Sequence, residues 1–92
     1  MNEKEIRMYL NRLVADTNIE PPALALAIHL LVDTEYGTKP SNASTRTVIC
    51  SWLNMSTVPA TRYVNQLVHG LYIKIVRNAR NFPTISINIK GK

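Results

Sequence analysis

The chain has 92 residues, of which 46% are hydrophobic, and a formal net charge of +5. This length suits one domain with one core, and so much apolar content with only three glycines excludes a disordered basic tail. No apolar run approaches the ~20 residues of a membrane span, and the first five residues lack the apolar stretch of a signal peptide. A single cysteine cannot form an internal disulfide, which fits a reducing cytosol. We therefore expect a cytoplasmic protein, and its length predicts one domain over residues 1–92.

The first part of the chain predicts two helices. Apolar residues at helical spacing indicate an amphipathic helix from Glu3 to about Asp16, within an N-terminal element of residues 1–20: Ile6, Leu10, Leu13 and Val14. Pro21 and Pro22 suit the first turn of a second helix, where N–H groups have no partner within the helix. Residues 23–34 are apolar almost all round, so we expect them to form the central buried helix.

A polar loop and a short helix are predicted next. Residues 38–45 are polar and leave room for a short edge strand. A short helix is predicted from about Thr45 to Leu53 because its apolar residues recur at helical spacing. Ser44 or Thr45 can cap this helix with a side-chain oxygen.

A break of three residues, 54–56, separates the short helix from a longer one. The longer helix is predicted from Thr57 to about His69. Ser56 is a natural N-cap for it, and Gly70 is well placed to end it.

The hydrophobic period changes from 3.6 to 2 after Gly70, which predicts a β-hairpin. Residues 72–77 and 84–90 both have the pattern of strands, and isoleucines at 85, 87 and 89 share one face of the second. Residues 78–83 between them have the composition of a turn. The predicted class is therefore α+β, with helices followed by a two-stranded C-terminal hairpin, and residues 21–92 form the core domain.

Two helices of about nine and twelve residues joined by a three- to four-residue turn describe a helix-turn-helix. Residues 47–71 resemble the core of the winged helix-turn-helix superfamily of bacterial, phage and plasmid DNA-binding proteins. The positions that carry the resemblance are Leu53, Met55, Ser56, Leu67 and the Gly70–Leu71 step. Asn54 stands where such families often have glycine, and asparagine tolerates the left-handed conformation that a turn needs. The resemblance implies that the helix of residues 57–69 enters the major groove and that the hairpin is the wing.

The helix of residues 57–69 is predicted to have one apolar and one polar face. Helical spacing turns five residues inward: Ala60, Val64, Leu67, Val68 and Leu71. The outward face has no carboxylate and consists of Thr57, Val58, Thr61, Arg62, Asn65 and Gln66. Arginine pairs with guanine, asparagine or glutamine with adenine, and a threonine or valine methyl meets the thymine methyl. Since an ordinary solvated face is usually rich in Lys and Glu, we interpret this one as reading DNA bases.

Other basic residues are interpreted as DNA backbone contacts. Arg77 and Arg80 flank or lie on the turn of residues 77–83, which we expect on phosphates or in the minor groove. Ser44, Thr45 and Arg46 can bind a phosphate through N–H groups at a helix start, and Lys74 is a weaker candidate. The alternative is that these charges serve solubility alone.

Charge is divided along the chain. Residues 1–35 contain six acidic and three basic residues, a net of −3, whereas residues 36–92 contain eight basic residues and no acid, a net of +8. A segment without carboxylates attracts polyanions. We expect the acidic part to be a scaffold that stays away from phosphate.

The sequence therefore predicts a sequence-specific binder of double-stranded DNA, a nucleoid-associated transcriptional regulator. We expect a homodimer through Ile6, Leu10, Leu13 and Val14, although that stripe could equally cover the core. The alternatives are a plasmid or phage replication or partition factor, a winged-helix protein-interaction module, and a basic adaptor on anionic membrane. We expect no enzymatic activity, metal, other cofactor or small-molecule ligand, because the chain has neither metal-ligand spacing nor a Ser/His/Asp set nor a Gly-rich phosphate loop.

Overall fold

The protein is α+β, with four helices followed by a two-stranded antiparallel hairpin, in the predicted order. The computed structural model describes residues 1–91. Its elements are α1 (Glu3–Ala15), α2 (Pro21–Asp33), a π-helical segment (Thr45–Ile49) continuing into α3 (Cys50–Leu53), α4 (Thr57–His69), β1 (Ile73–Arg77) and β2 (Pro83–Ile87). Within these residues, no helix is both long and apolar enough to cross a membrane.

Helix α1 begins with a reciprocal cap. The Asn2 side chain accepts a hydrogen bond from the Glu5 N–H, and the Glu5 carboxylate accepts one from the Asn2 N–H. The helix buries Tyr9 and Leu13, one turn apart, against the rest of the chain. Val14 is 69% exposed, so the buried face is rotated from the predicted stripe.

Helix α2 supplies the centre of the core. Its buried residues are Ala23, Leu26, Ala27, Leu30 and Leu31. Helix α2 is thus the central helix of the core, as expected, but it is not buried on every side, because Ile28 and Val32 are exposed. A chain of this length has too few other elements to surround one helix completely.

The connection from α3 to α4 is a tight turn. Asn54 adopts the left-handed conformation (φ 52°, ψ 51°), as its tolerance of that region predicted. Ser56 is the N-cap residue of α4 and has the expected extended backbone, but its side chain makes no capping hydrogen bond, and neither does that of Ser44 before the π-helical segment. Helix α4 buries Ala60, Val64 and Leu67 as predicted.

Helix α4 ends at the predicted residue, but the turn beyond it differs from the prediction. Gly70 has an ordinary helical φ of −77°, and the left-handed conformation falls on Leu71, with φ 64°. Leu71 is 48% exposed, so its predicted inward position is wrong. The left-handed step turns the chain toward the hairpin and interrupts the helical spacing on which that prediction depended.

The hairpin pairs Ile73 with Ile87 and Arg77 with Pro83 at its two ends. Strand β2 ends at Ile87, three residues earlier than predicted. Ser41 and Ile85 exchange two backbone hydrogen bonds of 2.7 and 2.9 Å, so the loop before α3 supplies the short edge pairing for which the sequence left room. This pairing fixes the hairpin beside the segment that leads into α3.

Candidate nucleic-acid interface

The outward face of α4 is open to solvent along much of its length. Thr57, Val58, Thr61 and Asn65 are all exposed, Val58 by 82%. The Thr61 hydroxyl donates to the Thr57 carbonyl at 2.8 Å, which leaves its oxygen free to accept and its methyl group fixed. These four predicted residues therefore form one continuous exposed row with amide, hydroxyl and methyl groups.

Arg62 and Gln66, the other two residues predicted on this face, are held by Glu20. The Arg62 Nη2 lies 2.8 Å from Glu20 Oε2, the same oxygen to which Gln66 Nε2 donates. In return, the Glu20 N–H donates to Gln66 Oε1 at 3.0 Å. One expectation is thereby corrected. The outward face of α4 does have a carboxylate beside it, and the acidic part of the chain supplies that carboxylate.

An open groove of about 570 Å³ lies between α4 and the α1–α2 connection. Asp16 and Asn18 line one side, and Asn65, Gln66 and His69 line the other. Hydrogen bonds from the Tyr72 hydroxyl and the Asn18 N–H hold the pKa of Asp16 below its ordinary value, so this carboxylate is charged at neutral pH. Together with Glu20 it makes the region beside the second half of α4 unfavourable for phosphate.

The hairpin turn is ordered by its own polar groups. Asn78 Oδ1 accepts from the N–H groups of Arg80 and Phe82, at 2.9 and 3.1 Å. The Arg77 guanidinium donates to the Asn81 carbonyl at 3.0 Å, and Asn81 takes the left-handed conformation. This arrangement presents Arg77 and Arg80 on a defined loop rather than a loose one.

A second open groove, of about 600 Å³, separates the hairpin from the start of the π-helical segment. It brings the predicted Ser44, Thr45 and Arg46 together with Asn78 and Phe82 of the turn. Lys74, Arg77 and Arg80 do not line it. Lys74 lies on the exposed part of β1, opposite Ser86.

Among the described residues, most of the Lys and Arg residues without a salt bridge lie after residue 35. Of the ten Lys and Arg residues in the described part, three form salt bridges: Arg7 with Glu3, Lys39 with Glu35, and Arg62 with Glu20. The four other predicted contact cations, Arg46, Lys74, Arg77 and Arg80, form none among residues 1–91 and are exposed. Their charge is therefore available to an external anion.

Sequence reasoning missed two residues at this surface. Glu20 has no local signal, because its partners Arg62 and Gln66 lie more than forty residues further along the chain. Phe82 is 62% exposed at the hairpin turn, and an aromatic residue before Pro83 in an otherwise polar turn was the signal that could have found it.

The comparisons with known proteins do not identify a family. No family model matches the chain, and no solved structure matches it. A stretch of 34 residues, 37% of the chain, is 41% identical to part of Nucleolar protein 9 from Lodderomyces elongisporus. That match spans 5% of the relative's length, so it assigns neither fold nor activity to this chain.

Proposed function

We propose that this chain is a winged helix-turn-helix protein that binds double-stranded DNA sequence-specifically and acts as a transcriptional regulator. In this proposal α4 enters the major groove, and the β1–β2 hairpin is a wing on the phosphate backbone or in the minor groove. Homodimer formation is part of the prediction, with one restriction. Leu13 is buried in the chain's own core, so a partner would have to contact the exposed Val14 and the half-buried Ile6 and Leu10.

The observation that carries the proposal is the position of the unpaired cations relative to α4. Arg46 lies on the segment before the turn, and Lys74, Arg77 and Arg80 lie on the hairpin after α4. A cation without an internal carboxylate gains most from phosphate, since contact releases condensed counterions and breaks no ion pair. Arg46 lies around one groove with Asn78 and Phe82 of the hairpin turn, so these cations suit one phosphate backbone of a duplex whose groove α4 enters.

The exposed row of α4 supplies groups that distinguish base edges. Asn65 can pair with adenine N6 and N7, whereas Val58 and the methyl groups of Thr57 and Thr61 can contact thymine methyls. Helix α4 has 13 residues and a length of about 20 Å, and the major groove is about 12 Å wide. Because Asp16 and Glu20 lie beside the second half of α4, we infer that its first half is the deeper one in the groove.

Selection of bound duplexes from a random pool tests the proposal. The chain should retain a defined set of sequences, and its affinity should fall steeply as salt is raised. Asn65→Ala should weaken discrimination at one adenine by about 1–3 kcal/mol and leave the salt dependence unchanged.

Asn11→Ala is the matched control, because Asn11 is an exposed asparagine on α1. This variant should select the same sequences as the unaltered chain. If the unaltered chain retards no duplex even at low salt, the DNA-binding proposal is wrong, and capture of a protein partner would then favour an interaction module.

A further inference from the structure

The side chain of Glu20 crosses from the start of α2 to the outward face of α4. Glu20 is the N-cap residue of α2, directly before Pro21, yet its carboxylate makes no capping hydrogen bond. Its Oε2 forms a salt bridge with Arg62 and accepts a hydrogen bond from Gln66, while its backbone N–H donates to the Gln66 side chain. Three contacts therefore converge on one residue of the acidic part of the chain.

Gln66 is used within the protein at both ends of its amide. Its oxygen accepts from the Glu20 N–H, and its nitrogen donates to the Glu20 carboxylate. An adenine contact needs the same pair of groups, a donor and an acceptor side by side. The structure thus assigns Gln66 to holding Glu20 in place, rather than to reading a base as the sequence predicted.

Arg62 is held but not covered. Its side chain is 63% exposed, its Nη2 contacts Glu20, and its guanidinium carbon lies 5.8 Å from the centre of the Tyr63 ring. A guanidinium has five N–H donors, so contact with one carboxylate oxygen leaves donors for a bidentate guanine contact. A side chain already oriented by two neighbours loses less conformational freedom when that contact forms.

The same carboxylate disfavours a phosphate at Arg62. A phosphate there would meet the partly exposed negative charge of Glu20 and would compete with it for the guanidinium. The edge of guanine presents neutral acceptors, O6 and N7, which bind Arg62 without that repulsion.

We propose that Glu20 is a positioning residue that determines specificity, because it directs Arg62 toward guanine and away from the phosphate backbone. This inference rests on the proposed DNA-binding function and adds one element to it. A residue of the acidic part, outside the helix-turn-helix, sets which base the reading helix prefers.

Glu20→Gln tests the inference, since it removes the charge and keeps the shape. The probes are the duplex recovered from the random pool and a series in which each of its G·C pairs is replaced in turn by A·T. The unaltered chain should discriminate roughly tenfold or more at one guanine. Glu20→Gln should lose most of that discrimination, and its plot of log affinity against log salt should steepen by about one, because Arg62 then neutralises a phosphate.

Glu3→Gln is the matched control, because Glu3 forms a salt bridge of the same 2.8 Å length with Arg7 on α1. It changes the net charge equally and should alter neither quantity. Arg62→Lys provides a second variant, which keeps the charge but lacks the planar fork; it should lose the guanine preference at an unchanged salt slope.

The inference is overturned if Glu20→Gln keeps both the guanine preference and the salt slope of the unaltered chain, or if Arg62→Lys keeps the preference. In either case binding by the unaltered chain would leave the proposed function standing. Absence of duplex binding by the unaltered chain would overturn both.

Discussion

A single glycine at the end of a helix often provides both space for a neighbouring group and a left-handed backbone. At the end of α4, Gly70 provides the space and Leu71 adopts the left-handed backbone. A Cβ atom built on Gly70 would lie 2.7 Å from Cε2 of the Tyr72 ring, so this position needs glycine for space and not for its φ of −77°. Leu71 takes the left-handed conformation instead, which costs a residue with a Cβ atom about 1–2 kcal/mol. The strain at Leu71 allows Tyr72 to pack back against α4.

Gly70→Ala is expected to lower the free energy of unfolding by roughly 1–3 kcal/mol, although alanine is the better helix former. The Tyr72 ring cannot easily move aside, because its hydroxyl is bonded to Asp16 at 2.7 Å. Urea unfolding followed by circular dichroism measures the change.

Leu71→Gly is the control at the neighbouring position. Relief of the left-handed strain opposes the ~0.5–1 kcal/mol entropic cost of glycine, so the free energy of unfolding should be unchanged or slightly higher. Equal losses in both variants would contradict the assignment of space to Gly70 and strain to Leu71.

At the scale of elements, α1 is joined to the start of the hairpin by an aromatic and polar cluster. The Tyr9 hydroxyl donates to the Tyr72 carbonyl at 3.0 Å, and the two rings meet edge to face with centres 5.8 Å apart. The Arg12 guanidinium lies over both rings, 4.7 Å from the centre of Tyr72 and 5.5 Å from that of Tyr9. The Tyr72 hydroxyl completes the cluster by bonding to Asp16, the residue that ends α1.

This cluster makes the docking of α1 dependent on pH. The hydrogen bond from Tyr72 is the main cause that lowers the pKa of Asp16 in the folded chain below its ordinary value of 3.8. A lowered pKa contributes stability above the unfolded value, and the contribution is lost as pH falls through the folded one. Burial, followed by the Asp16 hydrogen bond, raises the pKa of Tyr72 to about 12, so the contribution of Tyr72 is lost between about pH 10 and 12.

Tyr72→Phe should therefore flatten the acid part of the stability profile. At neutral pH we expect a loss of about 1 kcal/mol from the missing hydrogen bond, and below pH 4 the difference from the unaltered chain should shrink. Thermal unfolding at a series of pH values measures both.

Tyr63→Phe is the control for the pH experiment, because the Tyr63 hydroxyl makes no hydrogen bond among the described residues. This variant should keep the acid dependence of the unaltered chain. Parallel profiles for Tyr72→Phe and the unaltered chain would show that the Asp16–Tyr72 bond does not stabilise the fold.

Local signals predicted the elements well where one residue's own preference decides the structure. Asn54 tolerates the left-handed region, and the turn before α4 falls on it. Spacing placed Ala60, Val64 and Leu67 inward because α4 keeps a regular helical period up to His69. The π-helical start of the short helix has no comparable signal, because its first backbone bonds span one residue more than those of an α-helix without a change in composition.

Contacts between distant segments could not be predicted in this way. The Glu20–Gln66 contact joins the start of α2 to the second half of α4, and nothing near either residue specifies the other. The exposure of Ile28 and Val32 depends on how many elements pack around α2, which is a property of the whole domain. The sequence thus predicted which residues share the outward face of α4, but it did not predict which residue Arg62 and Gln66 contact.

At the scale of the whole molecule, the acidic residues have partners within the chain, whereas several basic residues of the described part form no salt bridge. Five of the six carboxylates contact another side chain: Glu3 contacts Arg7, Asp16 contacts Tyr72, Glu20 contacts Arg62, Asp33 contacts Ser41 and Glu35 contacts Lys39. Glu5 completes the cap of α1. Every carboxylate of the acidic part therefore has a partner within the chain, and for three of them that partner is a cation. By contrast, Arg46, Lys74, Arg77 and Arg80 leave a positive surface on the hairpin and beside the π-helical segment.

This division predicts where salt dependence originates. The double variant Arg77→Ala/Arg80→Ala should reduce the slope of log affinity against log salt by about two, because each lost phosphate contact removes about 0.9 from the slope. Discrimination among duplex sequences should stay as it is if the wing lies on the phosphates, whereas a lost preference for A·T pairs would place the wing in the minor groove.

Arg7→Ala is the control for the arginine pair, because Arg7 is exposed but already paired with Glu3 at 2.8 Å. Its removal should leave the salt slope unchanged, although the chain loses a positive charge. If Arg7→Ala lowered the slope as much per charge as the hairpin variant does, net charge rather than a located phosphate contact would govern binding. The hairpin would then have no special role in holding the duplex, and α4 alone would have to orient the protein on DNA.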